Sequence, residues 1–202
     1  MADHEIRTLA SPVEARAVDG QPSKLSGYAA VFNPETVIAE MFREVILPGA
    51  FALSVERDDV RAQFKHEPNL VLGRTTAGTL RLREDDKGLA YEIDPPDTSY
   101  ARDLLVSVQR GDVSQSSFMF DVTGEAWEYP TATSGQLPLR KITRVKLYDV
   151  SPVTFAAYEG TSVSARAMML KDAPPIELAL APSPDQGAVM LLEQLALDEA
   201  GG

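Results

Sequence analysis

Two histidines and no cysteine narrow the chemistry of this chain before any element is drawn. Without thiols there is no thiolate nucleophile, disulfide or thiolate metal site, and His4 and His66 are too few for a histidine-rich zinc centre. His66 lies in Gln63-Phe-Lys-His-Glu-Pro68. On a strand Val60, Ala62, Phe64 and His66 share parity, so the imidazole follows three apolar side chains on the face expected to be covered. Such a ring needs partners on both nitrogens, either as a structural group or as a base. Serine needs a base, because its hydroxyl must lose a proton as it attacks. The richest serine cluster is Gly111-Asp-Val-Ser-Gln-Ser-Ser-Phe-Met-Phe120, where Ser114, Ser116 and Ser117 stand open as nucleophiles or as a polar strand start. The third group is Asp149 in Val145-Lys-Leu-Tyr-Asp-Val-Ser-Pro-Val153. It shares parity with Val145, Leu147 and Val153, so its carboxylate projects from the apolar face and must be paired. Arg140, Arg144, backbone amides or a histidine could meet it.

The elements that position these groups follow from pattern. Residues 1–24 are polar and irregular, with Pro12, Gly20 and Pro22, and read as a flexible arm. Strands are predicted at Leu25–Asn33, Val60–His66, Ser114–Val122, Glu125–Tyr129 and Ile142–Phe155. Thr79–Arg83 and Leu89–Asp94 form a hairpin across Glu84-Asp-Asp-Lys-Gly88. A short helix is predicted over Pro48–Arg57. A longer one spans Thr98–Arg110, because Ala101, Leu104, Leu105 and Val108 fall at i, i+3, i+4 and i+7 and Gly111 suits its end. Strands outnumber helices without βα alternation, which points to an α+β domain on a mainly antiparallel sheet or barrel.

Composition sets the wider limits. A chain of 202 residues with 44% hydrophobic content fits one folded unit over residues 25–166 plus tails. No run approaches the roughly 20 apolar residues of a membrane span, and no signal-peptide core is present, so a soluble protein of the cytoplasm is expected. The net charge of −11 argues against nucleic acid as a partner. Residues 167–202 read as an acidic, proline-rich linker and a short amphipathic helix carrying Ala188, Leu191, Leu192 and Leu195.

Taken in order, Gly27-Tyr-Ala-Ala-Val-Phe-Asn33, Pro48-Gly-Ala-Phe51, His66 with Leu72-Gly73, Gly88-Leu89, Gly111 with Ser117-Phe-Met-Phe120, and Asp149-Val-Ser-Pro-Val153 resemble the prohead maturation proteases of tailed phages. The resemblance covers about Leu25 to Arg166. It implies Ser117 as nucleophile, in a Ser-Phe-Gly-Phe-like motif with Met119 at the usual glycine, His66 as its base, and Asp149 as third member. It also implies a fold like that of the herpesvirus assembly proteases, a closed β-barrel surrounded by helices. The implied function is a serine endopeptidase without cofactor that cuts the scaffolding segment of the major capsid protein, and itself, inside the assembling procapsid in the host bacterial cytoplasm. Self-association is compatible with that setting. A self-processing boundary is expected near Ala167–Pro175. The competing reading is an inactive assembly or scaffold module of the same fold that binds capsid protein through its acidic tail. An esterase is disfavoured, since Ser117 lacks the Gly-x-Ser-x-Gly elbow.

Overall fold

Strands of alternating burial build two sheets around one apolar cluster. The computed structural model describes residues 4–9, 12–18, 21–131 and 133–155. In chain order these form β1 (Glu5–Leu9), β2 (Glu14–Val18), β3 (Gln21–Val31), β4 (Thr36–Ile38), β5 (Phe42–Ile46), α1 (Ala52–Arg57), β6 (Arg61–Gln63) and β7 (Val71–Arg74). They continue as β8 (Leu80–Glu84), β9 (Gly88–Ile93), α2 (Ser99–Arg110), β10 (Gln115–Glu128) and β11 (Leu139–Val153). The architecture is α+β, as expected. The closed barrel is not: the described strands form a seven-stranded sheet ordered β1-β10-β11-β5-β4, with β6 attached to β11 and β7 to β6, and a four-stranded sheet ordered β2-β3-β9-β8.

The two sheets share a core in which Leu25, Leu89 and Ile93 from one meet Phe118, Phe120, Ile142 and Leu147 from the other. Phe118 stacks on Phe120 and takes the edge of Phe51. Burying each such ring contributes roughly 1.5–3 kcal/mol. The long β10 and β11 run antiparallel through this core. The other edge of β11 is divided, pairing in parallel with β5 at residues 139–142 and with β6 at residues 149–150. One edge of β11 therefore carries two branches of the sheet.

Helix α2 matches its pattern: Ala101, Leu104 and Val108 are buried, and Gly111 adopts the left-handed conformation at φ 83° that closes the C-terminus. Helix α1 starts later than predicted, at Ala52, after a turn through Gly49 and Ala50. The Glu84 carboxylate of β8 accepts the Gly49 and Phe51 amides and so supplies the start that no local side chain caps. The 79–94 hairpin forms as expected, with Asp85 accepting the Lys87 and Gly88 amides. Two motif glycines have packing reasons. A Cβ on Gly88 would lie 2.1 Å from the Ala30 carbonyl oxygen, and one on Gly73 2.7 Å from that of Thr79.

Residues 1–24 are the main correction. The expected arm instead contributes β1, β2 and the start of β3. In β1 the alternation is inverted: Glu5 and Arg7 turn inward and Ile6 is exposed, so the segment reads as polar although it is sheet. Among the described residues no helix is long and apolar enough to cross a membrane. The linker, the amphipathic helix and the boundary near Ala167–Pro175 lie outside the described residues.

Candidate active site

On β10, Phe118 and Phe120 point into the core, so Ser117 and Met119 belong to the opposite face. Strict alternation along β11 would put Asp149 on the core side with Val145 and Leu147. A β-bulge changes that. Phe120 pairs with Leu147 but Met119 pairs with Asp149, which leaves Tyr148 as an extra residue. The inserted residue re-aims Asp149 onto the face of Ser117, where Ser151 also lies, directly opposite Ser117. The bulge is held from α1: the buried Ser54 hydroxyl donates to the Val145 carbonyl at 2.9 Å and accepts the Leu147 amide at 3.1 Å.

His66 arrives differently from the strand position expected for it. Strand β6 ends at Gln63, and both Lys65 and His66 take the left-handed conformation at φ 58°. A non-glycine residue in that region costs about 1–3 kcal/mol, so surrounding bonds must hold it. They do: the Lys65 amide donates to the Pro152 carbonyl at 3.1 Å and the His66 amide to Ser151 Oγ at 3.2 Å. The strand parity drawn through Phe64 and His66 therefore does not apply.

These turns bring the three groups together. Asp149 Oδ1 lies 2.7 Å from His66 Nδ1, and His66 Nε2 lies 2.7 Å from Ser117 Oγ. Asp149 and Ser117 are 3% and 1% exposed. Ser151 Oγ donates to Asp149 Oδ1 at 3.1 Å, so one hydroxyl ties the carboxylate to the backbone of the histidine. The other serines separate clearly. Ser116 is buried on the opposite face against the Tyr91 hydroxyl at 2.8 Å, and burial pushes that phenol above its ordinary range. Ser114 lies exposed before β10. Arg140 is committed elsewhere, to Glu5, Glu44 and Glu125.

The family model for caudovirus prohead serine proteases matches residues 11–174. The chain belongs to that family. No curated protein matches it, and no solved structure does. Two parts of the site are not marked as such in the sequence. The first is Ser151, for which the only signal is its i, i+2 spacing from Asp149 on a strand. The second part is β1, which pairs with β10 so that Thr8 faces Ser117. Ser117 Oγ donates to the Arg7 carbonyl at 2.9 Å, and Thr8 Oγ1 donates to Ser117 Oγ at 3.2 Å. β1 is anchored by a buried ionic network in which Arg7 meets Glu44 and Glu5, and Arg140 meets Glu5 and Glu44. Burial works against the charges, but the opposed partners outweigh it, holding the Glu5 carboxyl below and the Arg7 guanidinium above their ordinary values.

Proposed function

We propose that this chain is a serine endopeptidase in which Ser117 attacks, His66 is the base and Asp149 orients it. The observation that carries the reading is the continuous chain of hydrogen bonds from Asp149 through His66 to Ser117. With Nδ1–H donated to Asp149, the Nε2 lone pair faces Ser117 and takes its proton as Oγ bonds to a peptide carbonyl carbon. The imidazolium then gives that proton to the leaving amine as the C–N bond breaks. Water deprotonated by the same nitrogen releases the acyl group. Asp149 stabilises the imidazolium throughout.

Family membership supports capsid maturation as the setting. The proposed substrates are the scaffolding segment of the major capsid protein and the chain itself, with self-cleavage near Ala167–Pro175, at the end of the matched span. Confinement in a shell would raise the effective concentration of substrate. Co-expression with the cognate capsid protein, comparing wild type with Ser117→Ala, tests this by capsid-protein mass. Shortening in wild type alone is expected. Equal shortening in both moves the nucleophile elsewhere, and none in either removes the protease reading.

A further inference from the structure

Ser117 cannot receive a substrate in the arrangement described. It is 1% exposed, and the strand against it is β1. We infer that β1 is a displaceable blocking strand that occupies the edge of β10 on which an extended peptide must dock for Ser117 to reach its carbonyl. This rests on the serine-protease reading above.

Three observations carry it. First, the contact is with the reacting atom. The Ser117 hydroxyl has one proton, and its donation to the Arg7 carbonyl at 2.9 Å competes with donation to His66 Nε2 at 2.7 Å. Meanwhile Thr8 engages a lone pair of the same oxygen. Second, β1 approaches as a peptide would, by antiparallel backbone pairing from Glu5↔Phe120 to Leu9↔Ser116, which is strand addition to a sheet edge. Third, β1 precedes the family match, which begins at residue 11, and much of its anchorage is ionic rather than apolar. Ile6 contributes little burial, being 37% exposed. His4 adds a polar anchor on Asp121, which also accepts the Tyr148 hydroxyl. A strand with few buried apolar contacts opens locally at a lower free energy than the core strands do.

The absence of cysteine allows a reversible lock. Ile6 and Met119 face each other across β1 and β10, a separation that suits a disulfide. The double variant Ile6→Cys, Met119→Cys is compared, oxidised and reduced, with wild type for covalent labelling by a fluorophosphonate. In that reaction Ser117 Oγ bonds to phosphorus, fluoride leaves and His66 takes the proton; intact mass reads the product. The reduced variant should label at a measurable rate, and oxidation should slow its labelling at least about tenfold, because β1 can no longer leave. Equal rates in the two redox states would overturn the blocking strand and leave the protease reading intact. No labelling of any form, including an Arg7→Ala variant with the anchor cut, would remove both. If the reduced variant alone fails to label, Arg7→Ala decides: faster labelling than wild type is expected, and an unchanged or slower rate overturns the proposal. Loss of residues 1–7 from wild type would also overturn it, since β1 would then be a substrate.

Discussion

Asp149→Asn separates an orienting carboxylate from a merely paired one. The substitution is nearly isosteric at a site 3% exposed, so the fold should survive. What changes is charge and proton placement. Asp149 Oδ1 accepts two bonds, from His66 Nδ1 at 2.7 Å and from Ser151 Oγ at 3.1 Å. A neutral amide no longer stabilises the imidazolium that forms as Ser117 attacks. Two unit charges about 4 Å apart in an effective dielectric near 20 attract by roughly 4 kcal/mol, which corresponds to about 10³ in rate. If the amide nitrogen faces Nδ1, the ring is driven to the tautomer with Nε2 already protonated, and the base is lost. The equivalent change in a well-studied serine protease costs about 10⁴ in kcat. A fall of about 10³–10⁴ is therefore expected in kcat on a capsid-derived peptide, with the thermal midpoint shifted by only a few degrees. A fall smaller than tenfold in a folded variant would refute the orienting role and leave Asp149 as a buried partner.

Other expectations follow from neighbouring contacts. Ser151→Ala removes a hydrogen bond to a charged acceptor, worth about 1.5–3 kcal/mol, and should lower kcat/KM by roughly 10- to 100-fold; an unchanged value would separate Ser151 from the site. The Glu5 carboxyl is held below its ordinary value, so its contribution is present at neutral pH and is lost as pH falls through the folded value. Amide-exchange protection across Glu5–Leu9 should accordingly weaken below its ordinary value of 4.5 while the core strands stay protected, and uniform protection down to the acid unfolding point would contradict this. Gly73→Ala would set a Cβ 2.7 Å from the Thr79 carbonyl oxygen and should destabilise by about 1–3 kcal/mol, read as a lowered midpoint in denaturant.

Local signals carried much of this molecule. Helix α2 and the β8–β9 hairpin are specified by residues within one element: an apolar period with a terminal glycine, and an Asp-to-Gly turn. The three site residues were also visible as types in context. What failed were the inferences in which a partner distant in sequence sets an element's conformation. β1 looks like a solvated arm because its inward residues are charged, and only pairing with Glu44 and Arg140 makes them interior groups. The left-handed pair at Lys65 and His66 depends on Pro152 and Ser151, and the closed barrel was inherited from a resemblance rather than from pattern. Parity misled most at Asp149, since a bulge leaves no local mark in the sequence.

That bulge makes the count of residues on β11 relative to β10, more than their identity, what the proposed chemistry depends on. Tyr148 is the residue by which β11 exceeds β10 between Leu147 and Asp149. Removing it would make Leu147 and Asp149 consecutive, giving regular pairing from Gln115 to Val122 with Asp149 still on the face of Ser117. An extra residue on β10 opposite Tyr148 would also regularise the ladder, but with Leu147 and Asp149 on one face, so that Asp149 could not meet Ser117 while Leu147 stays in the core. Substitutions along this stretch can therefore be graded by what each side chain touches, whereas a one-residue insertion in β10 acts as a switch of phase. A library that varies the length of β10 between Met119 and Phe120 probes the site more severely than one that varies composition there.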